Sequence, residues 1–107
     1  MSAKIDPSVR LVTLVNVFTV APDRQQELVR LLDEATQTTM KRQPGFISAN
    51  IHMSYDGTRV INYAQWRSKA DFEAMQKSPQ ATDHMRTIAA LAKFDAILCE
   101  VTSSHTS

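Results

Sequence analysis

The sequence of 107 residues predicts one α+β domain of the ferredoxin-like class, with the element order βαββαβ and a four-stranded antiparallel sheet. Three observations support this class. Four segments alternate like strands, two long stretches show helical periodicity, and an Asp-Gly turn joins the two middle strands. Both helices are expected on one face of the sheet. Because the first strand is apolar on both faces, a second copy is expected on the other face, giving a homodimer that forms a dimeric α+β barrel.

The composition is that of an ordinary globular chain, with 43% apolar and 21% charged residues. A formal charge of +1 offers no electrostatic reason to bind nucleic acid, and no apolar run is long enough to span a bilayer. Cys99 has no partner for an internal disulfide and the first residues do not resemble a signal peptide, so a cytoplasmic location is expected. The core is expected over residues 10–102, with flexible tails at 1–9 and 103–107.

The first strand and the first helix are predicted from alternation, a proline and a capping pattern. Residues 10–20 alternate as a strand, and Asp23 with Gln26 resembles a capping box that opens a helix over residues 23–42. One apolar stripe of this helix comprises Leu28, Leu31, Leu32, Ala35 and Thr39. A Gln-Pro-Gly sequence ends the helix.

The rest of the chain predicts three more strands and a second, interrupted helix. The strands are expected over residues 46–54, 59–66 and 94–101. Ser68 with Asp71 forms a second capping box, and Pro79 interrupts the helix that it opens. The helical stripe then continues over residues 80–93 and comprises Ala81, His84, Met85, Ile88, Leu91 and Ala92.

Two amides placed on apolar strand faces are the most informative polar residues. Asn62 shares the even face of the third strand with Trp66, and Asn16 lies on the even face of the first strand. A buried amide without partners costs about 1–3 kcal/mol, so either the fold or a ligand must satisfy it. If both even faces look toward the helices, the amides share one cavity. That cavity would also be lined by Trp66, Phe72, Met75, His84 and Met85, and it would suit a flat aromatic ligand.

Structural roles remain open for each of these residues. The amides can be satisfied locally, Trp66 can be a core residue, and His84 can be a hydrogen-bonded side chain on an apolar stripe. His52 shares a predicted face with Phe46, Ser48 and Asn50 and can simply be solvated. Arg86 lies off the helical stripe and is expected on the surface.

Familiar catalytic motifs do not occur in this sequence. It has no Ser nucleophile elbow and no Gly-rich phosphate or dinucleotide loop, and its 2 glycines are too few for either loop. The histidines are scattered, and no cluster has the spacing of metal ligands, so no metal site is expected. Taken alone, the residues predict a dimeric ferredoxin-like domain with a pocket for a small molecule.

Three segments resemble the antibiotic biosynthesis monooxygenase family: Val-Asn-Val-Phe-Thr-Val at residues 15–20, Gln-Pro-Gly-Phe at 43–46, and Asn-Tyr-Ala-Gln-Trp at 62–66. The similarity extends over residues 11–101. The Asn of the first strand together with Asn-x-x-x-Trp of the third resembles the cofactor-independent anthrone and naphthacenone oxygenases of aromatic polyketide pathways.

This resemblance implies a reaction and a set of site residues. Molecular oxygen would oxidise a polycyclic phenol to a quinone without flavin, haem or metal. Asn16, Asn62 and Trp66 would be catalytic. His52, Phe72, Met75, His84 and Met85 would contact the substrate, with His84 near a helical His of such relatives.

Two functions other than an oxygenase remain open. Haem-degrading enzymes of the same superfamily also place an Asn in the first strand, but they add an inward Trp and a haem-ligating His on the second helix. Here Phe72 and Met75 lie near the Trp position, and His84 fits the ligand position only approximately. The other alternative is a non-catalytic dimeric binding or stress protein whose amides satisfy each other.

Overall fold

A computed structural model describes residues 3–107, so the first two residues of the predicted N-terminal tail lie outside the described part. Its strands are β1 (Val12–Thr19), β2 (Phe46–Met53), β3 (Arg59–Trp66) and β4 (Lys93–Cys99). Its helices are α1 (Gln25–Thr38), α2 (Lys69–Gln76) and α3 (Pro79–Ala89). The strands form one antiparallel sheet in the order β2-β3-β1-β4. The predicted α+β ferredoxin-like class is confirmed, with three helices.

The strand register places the two amides directly opposite each other. Asn16 of β1 pairs with Asn62 of β3, and residues paired across antiparallel strands point to the same face. The row continues to Ile51 on β2 and to Ala96 on β4. It therefore crosses the whole sheet, with the amides at its centre.

All three helices pack against this face through two apolar clusters. Around one end of the sheet lie Phe18, Val20, Leu28, Leu32, Val60, Ile88 and Ala92. Around the other end lie Leu14, Ala64, Trp66, Phe72, Met75 and Ala81. The row of residues that contains the two amides runs between the two clusters, because Asn16 lies between Leu14 and Phe18 along β1.

The helix boundaries differ from the prediction for local reasons. Asp23 lies in a 3-10 turn, and α1 begins after Arg24 without a side-chain cap, so the capping box predicted with Gln26 is wrong. Gln25 anchors this end instead, because its Nε2 donates to the carbonyl oxygens of Ser54 and Arg59 at 3.1 and 2.9 Å. The second predicted helix is two helices, since Ser78 caps α3 and proline occupies its first turn.

The outer face of the sheet, opposite the helices, is partly covered by the N-terminal segment. Gln65 is 3% exposed and donates from Nε2 to the carbonyl oxygen of Lys4 at 2.7 Å, while its Oε1 accepts from Ser48 at 2.7 Å. Thr13, which pairs with Gln65, is also buried. Residue 4 is thus held against the sheet. Among residues 3–107, no helix combines the length and apolar character needed to cross a membrane.

Gly45 is expected to be the more sensitive of the two glycines. Its φ is +84°, and an added Cβ would collide with the Asp71 side chain, whereas a Cβ at Gly57 (φ +81°) would meet only ordinary contact with Pro22 at 3.5 Å. Gly45→Ala is therefore expected to lower the free energy of unfolding by about 2–4 kcal/mol, against about 1–2 kcal/mol for Gly57→Ala. Urea denaturation measures both, and equal losses would show that the Asp71 contact relaxes without cost.

Candidate active site

The amides of Asn16 and Asn62 point into a cavity between the sheet and the helices. Asn16 is 6% exposed, and the carbonyl oxygens of both side chains are buried with no hydrogen-bond partner among the described residues. A buried unpaired acceptor costs about 1–3 kcal/mol, and two of them occupy adjacent places on one sheet face. The structure does not show the local satisfaction that a purely structural role requires.

Trp66 closes one side of the cavity at the end of β3. It is 2% exposed, and its indole makes edge-to-face contacts with Phe46 and Phe72, with ring centroids 5.6 and 5.9 Å apart. Phe46 reaches this place because an irregularity in the β2–β3 pairing lies between Phe46 and Ser48. The indole plane is therefore fixed from two sides.

A set of polar contacts connects the chain beyond Trp66 to α2. The backbone N–H of Arg67 donates to the carbonyl oxygen of Gly45 at 2.7 Å, and Nε of Arg67 lies 2.8 Å from Oδ2 of Asp71. The Ser68 hydroxyl accepts from the backbone N–H of Asp71 at 3.1 Å, which confirms the N-cap of the second predicted capping box. The Asp71 carboxylate accepts from the Ser68 hydroxyl at 2.9 Å, in place of the bond from the Ser68 backbone N–H that a full capping box has. Hydrogen bonds from Arg67 and Ser68 lower the pKa of Asp71. These contacts hold Phe72 against the indole.

The cavity has a volume of about 490 Å³ and a mainly apolar lining. Much of this room comes from alanines, namely Ala35, Ala49, Ala64, Ala81, Ala89 and Ala96. Larger apolar side chains fill the wall between them, including Leu14, Phe18, Leu32, Met40, Ile88 and Phe94. The volume lies in the range that binds small organic molecules, and the mainly apolar walls suit an aromatic one.

The structure brings most of the predicted site residues together. The predicted members that line the cavity are Asn16, Asn62, Trp66, Phe72, Met75 and Met85. His84 does not line it, because its Nε2 lies 2.9 Å from the Thr39 hydroxyl, between α1 and α3. His52 pairs with Ile61 on the outer face and is exposed, so strand alternation points it away from the cavity.

The face predicted for His52 also needs a correction. Ser48 pairs with Gln65 and Asn50 with Tyr63, so both share the outer face with His52. Phe46 does not, because the pairing irregularity moves it to the helix side opposite Trp66.

Sequence reasoning missed four polar lining residues, namely Thr36, Gln76, Thr82 and Arg86. Arg86 was expected on the surface. Its side chain is 76% exposed and lies 3.5 Å from Asp83, yet it also borders the cavity. The available signal was the spacing of residues 82, 86 and 89, which lie beside the apolar stripe of α3 on one helical face.

The lining sets limits on the chemistry that the site can perform. Among the described lining residues, Arg86 is the only ionisable side chain. Across residues 3–107, no three His, Cys, Asp or Glu side chains group closely enough to hold a metal ion. The two amides can donate to a developing oxyanion and can accept from phenolic hydroxyls. A reaction here therefore requires a substrate that is itself acidic enough to ionise.

Comparisons with known proteins give one consistent result. Residues 11–87 match the family described as antibiotic biosynthesis monooxygenase. The chain is 48% identical over 102 residues to the tetracenomycin-F1 monooxygenase of Streptomyces glaucescens. The aligned region covers 95% of this chain and 91% of that protein.

Two solved structures show the same similarity in three dimensions. The monooxygenase ActVA-Orf6 of Streptomyces coelicolor, solved with nanaomycin D, is 30% identical, with a TM-score of 0.82 over 95% of this chain and 96% of that one. SnoaB of Streptomyces nogalater, described as a cofactor-independent oxygenase, is 25% identical, with a TM-score of 0.78 over 88% and 95% of the two chains.

Proposed function

This chain belongs to the antibiotic biosynthesis monooxygenase family, and we propose that it oxidises a polycyclic, anthrone-like phenol of an aromatic polyketide pathway to a quinone. Molecular oxygen is the co-substrate, and no cofactor takes part, as in the relative described as cofactor-independent. The observation that carries the proposal is the pair of unsatisfied amide carbonyls of Asn16 and Asn62, which face an apolar cavity beside Trp66.

The substrate itself supplies all the electrons that reduce oxygen in this reaction. Loss of one proton from the ring CH₂ gives a carbanion stabilised as a phenolate. The carbanion passes one electron to oxygen, and the resulting radical pair combines into a C–O bond, which forms a peroxide. Uptake of one proton at the peroxide and loss of the second ring hydrogen release water and leave the quinone carbonyl. One O₂ is consumed, one oxygen atom enters the ring and the other leaves as water.

The protein's contribution in this proposal is electrostatic and geometric. The amide N–H groups of Asn16 and Asn62 stabilise the negative charge on the substrate oxygen and then on the peroxide, and their carbonyls accept from substrate hydroxyls. Trp66, fixed by Phe46 and Phe72, holds the ring plane and bounds the space in which oxygen reacts. Phe72, Met75 and Met85 supply apolar contact with the rings.

The placement of His84 favours the oxygenase over the haem alternative. A haem ligand must project into the cavity, but the Nε2 of His84 lies 2.9 Å from the Thr39 hydroxyl, and the residue is not part of the lining. The non-catalytic alternative assumed that the two amides satisfy each other, but the carbonyl oxygens of Asn16 and Asn62 are both buried without a hydrogen-bond partner.

The proposed activity is tested by oxygen uptake. Purified protein, treated with a chelator and desalted, is mixed with the anthrone dithranol in an oxygen electrode, and quinone formation is followed by absorbance. Uptake faster than autoxidation, with one quinone formed per O₂, is expected. A rate equal to the no-enzyme control, together with a new visible absorbance band on haem titration, would favour the haem alternative.

We also propose that two copies associate through the outer face of the sheet. The apolar residues of this face are Val15, Val17, Ile61, Tyr63 and Ile97. Ile97 is 46% exposed, and no helix covers this side among the described residues. The N-terminal segment contacts this face at Gln65. An apolar sheet face of this extent is stabilised by pairing with its own copy about a two-fold axis.

Ile61→Glu is expected to convert the dimer to a monomer. A two-fold axis would bury two unpaired carboxylates, each costing about 3–5 kcal/mol, so the dissociation constant should rise at least about a hundredfold. Sedimentation velocity over a range of protein concentrations measures this change. Met53→Glu is the control, because Met53 is 53% exposed and pairs with Val60 on the opposite face. A wild-type protein that sediments as a monomer at micromolar concentration would contradict the proposal.

A further inference from the structure

The cavity opens to solvent between β4 and α3. A lining residue that is itself exposed marks the place where solvent reaches the cavity. The exposed lining residues are Gln76, Thr82, Arg86, Ala89, Phe94 and Ala96. All but Gln76 lie on α3 or β4, so these two elements form the two rims of the opening.

The row of residues that contains the amides is closed at one end and open at the other. At the β2 end, Ile51 packs against the apolar cluster that includes α1. At the β4 end, Ala96 lies beside Asn16 and is exposed. Neighbouring strands are about 4.8 Å apart, so Ala96 is the first surface that a ring system meets beyond the amides.

The residues beside Ala96 on the same face are larger. Phe94 pairs with Phe18 and is 43% exposed, and Leu98 pairs with Leu14. The small side chain of Ala96 therefore leaves a gap between the bulky side chains of Phe94 and Leu98, and this gap lies between the amides and solvent.

We propose that Ala96 determines how many fused rings the substrate carries. The reacting ring lies at the amides, and the distal rings extend over Ala96 toward the opening, with Phe94 along one edge. This inference rests on the proposed function and specifies it further, because it names a linear polycycle that extends toward β4 as the substrate. A larger side chain at residue 96 then blocks a four-ring substrate more strongly than a three-ring one.

The test compares Ala96→Leu with wild type on two substrates, the three-ring dithranol and a linear four-ring naphthacenone. For the four-ring substrate kcat/KM is expected to fall about tenfold or more, mainly through KM, with a much smaller change for dithranol. Ala74→Leu is the matched control, because Ala74 is exposed on α2 and lies outside the lining. Equal losses on both substrates, or none, would overturn the inference.

A binding measurement separates this inference from the proposed function. Trp66 is the one tryptophan of the chain, so its fluorescence reports occupancy of the cavity without turnover. Naphthacenequinone and anthraquinone serve as four-ring and three-ring probes. If wild type takes up no oxygen but Ala96→Leu still weakens only naphthacenequinone binding, the oxygenase proposal fails and the role of Ala96 stands. Unchanged quenching by both quinones in Ala96→Leu, or no quenching in wild type, would overturn the role of Ala96.

Discussion

Asn62→Ala is expected to lower kcat about a hundredfold while the melting temperature stays unchanged or rises slightly. Loss of activity follows because the alanine cannot donate to the developing oxyanion. Stability is kept because the carbonyl oxygen of Asn62 is buried without a partner, so its removal also removes a cost to folding. Oxygen uptake with dithranol and thermal denaturation of the same preparation measure the two quantities.

Asn50→Ala provides the matched control for this prediction. Asn50 lies on the outer face of the same sheet, and its Nδ2 donates to the carbonyl oxygen of Tyr63 at 3.3 Å. Its loss is expected to lower stability by about 0.5–1.5 kcal/mol and to leave kcat unchanged. If Asn62→Ala instead destabilises as Asn50→Ala does and keeps its activity, the Asn62 amide is structural. The double variant with Asn16→Ala and Asn62→Ala is expected to lose less kcat than the product of the two single-variant losses. The reason is that both amides stabilise the same negative charge on the substrate.

Alternation along single strands placed Asn16 and Asn62 on the even faces of their strands. β3 has the predicted bounds, and the ferredoxin-like order places it beside β1, so the two amides share a face only if even residues pair with even residues across these strands. That Asn16 and Asn62 stand directly opposite each other depends on the register, which the predicted pattern did not give.

The errors arose where a local feature overrides periodicity. The pairing irregularity after Phe46 turns that ring toward Trp66, and alternation alone placed it with His52. Helical spacing placed His84 on the inner stripe, but its bond with Thr39 depends on how α1 meets α3. The sequence did not predict that Arg86 borders the cavity, because an exposed cation at the edge of a helix has the same sequence pattern whether or not a cavity opens beside it.

Trp66→Phe is expected to slow turnover about 10- to 100-fold while the protein still folds. The phenyl ring is smaller than the indole, so the contacts with Phe46 and Phe72 loosen, and the ring plane beside the amides is no longer fixed. Because Trp66 is 2% exposed, a loss of stability of about 1–2 kcal/mol accompanies the change.

Leu28→Val separates this loss of stability from the loss of positioning. Leu28 is fully buried in the other apolar cluster, is not part of the cavity lining, and its shortening is expected to cost about 1 kcal/mol. Oxygen uptake is measured well below both melting temperatures, where each variant is folded. Trp66→Phe should then be slow and Leu28→Val should match wild type, because only the indole borders the amides. If both variants keep the wild-type rate, Trp66 is a core residue, and the amides alone must carry the oxygen chemistry.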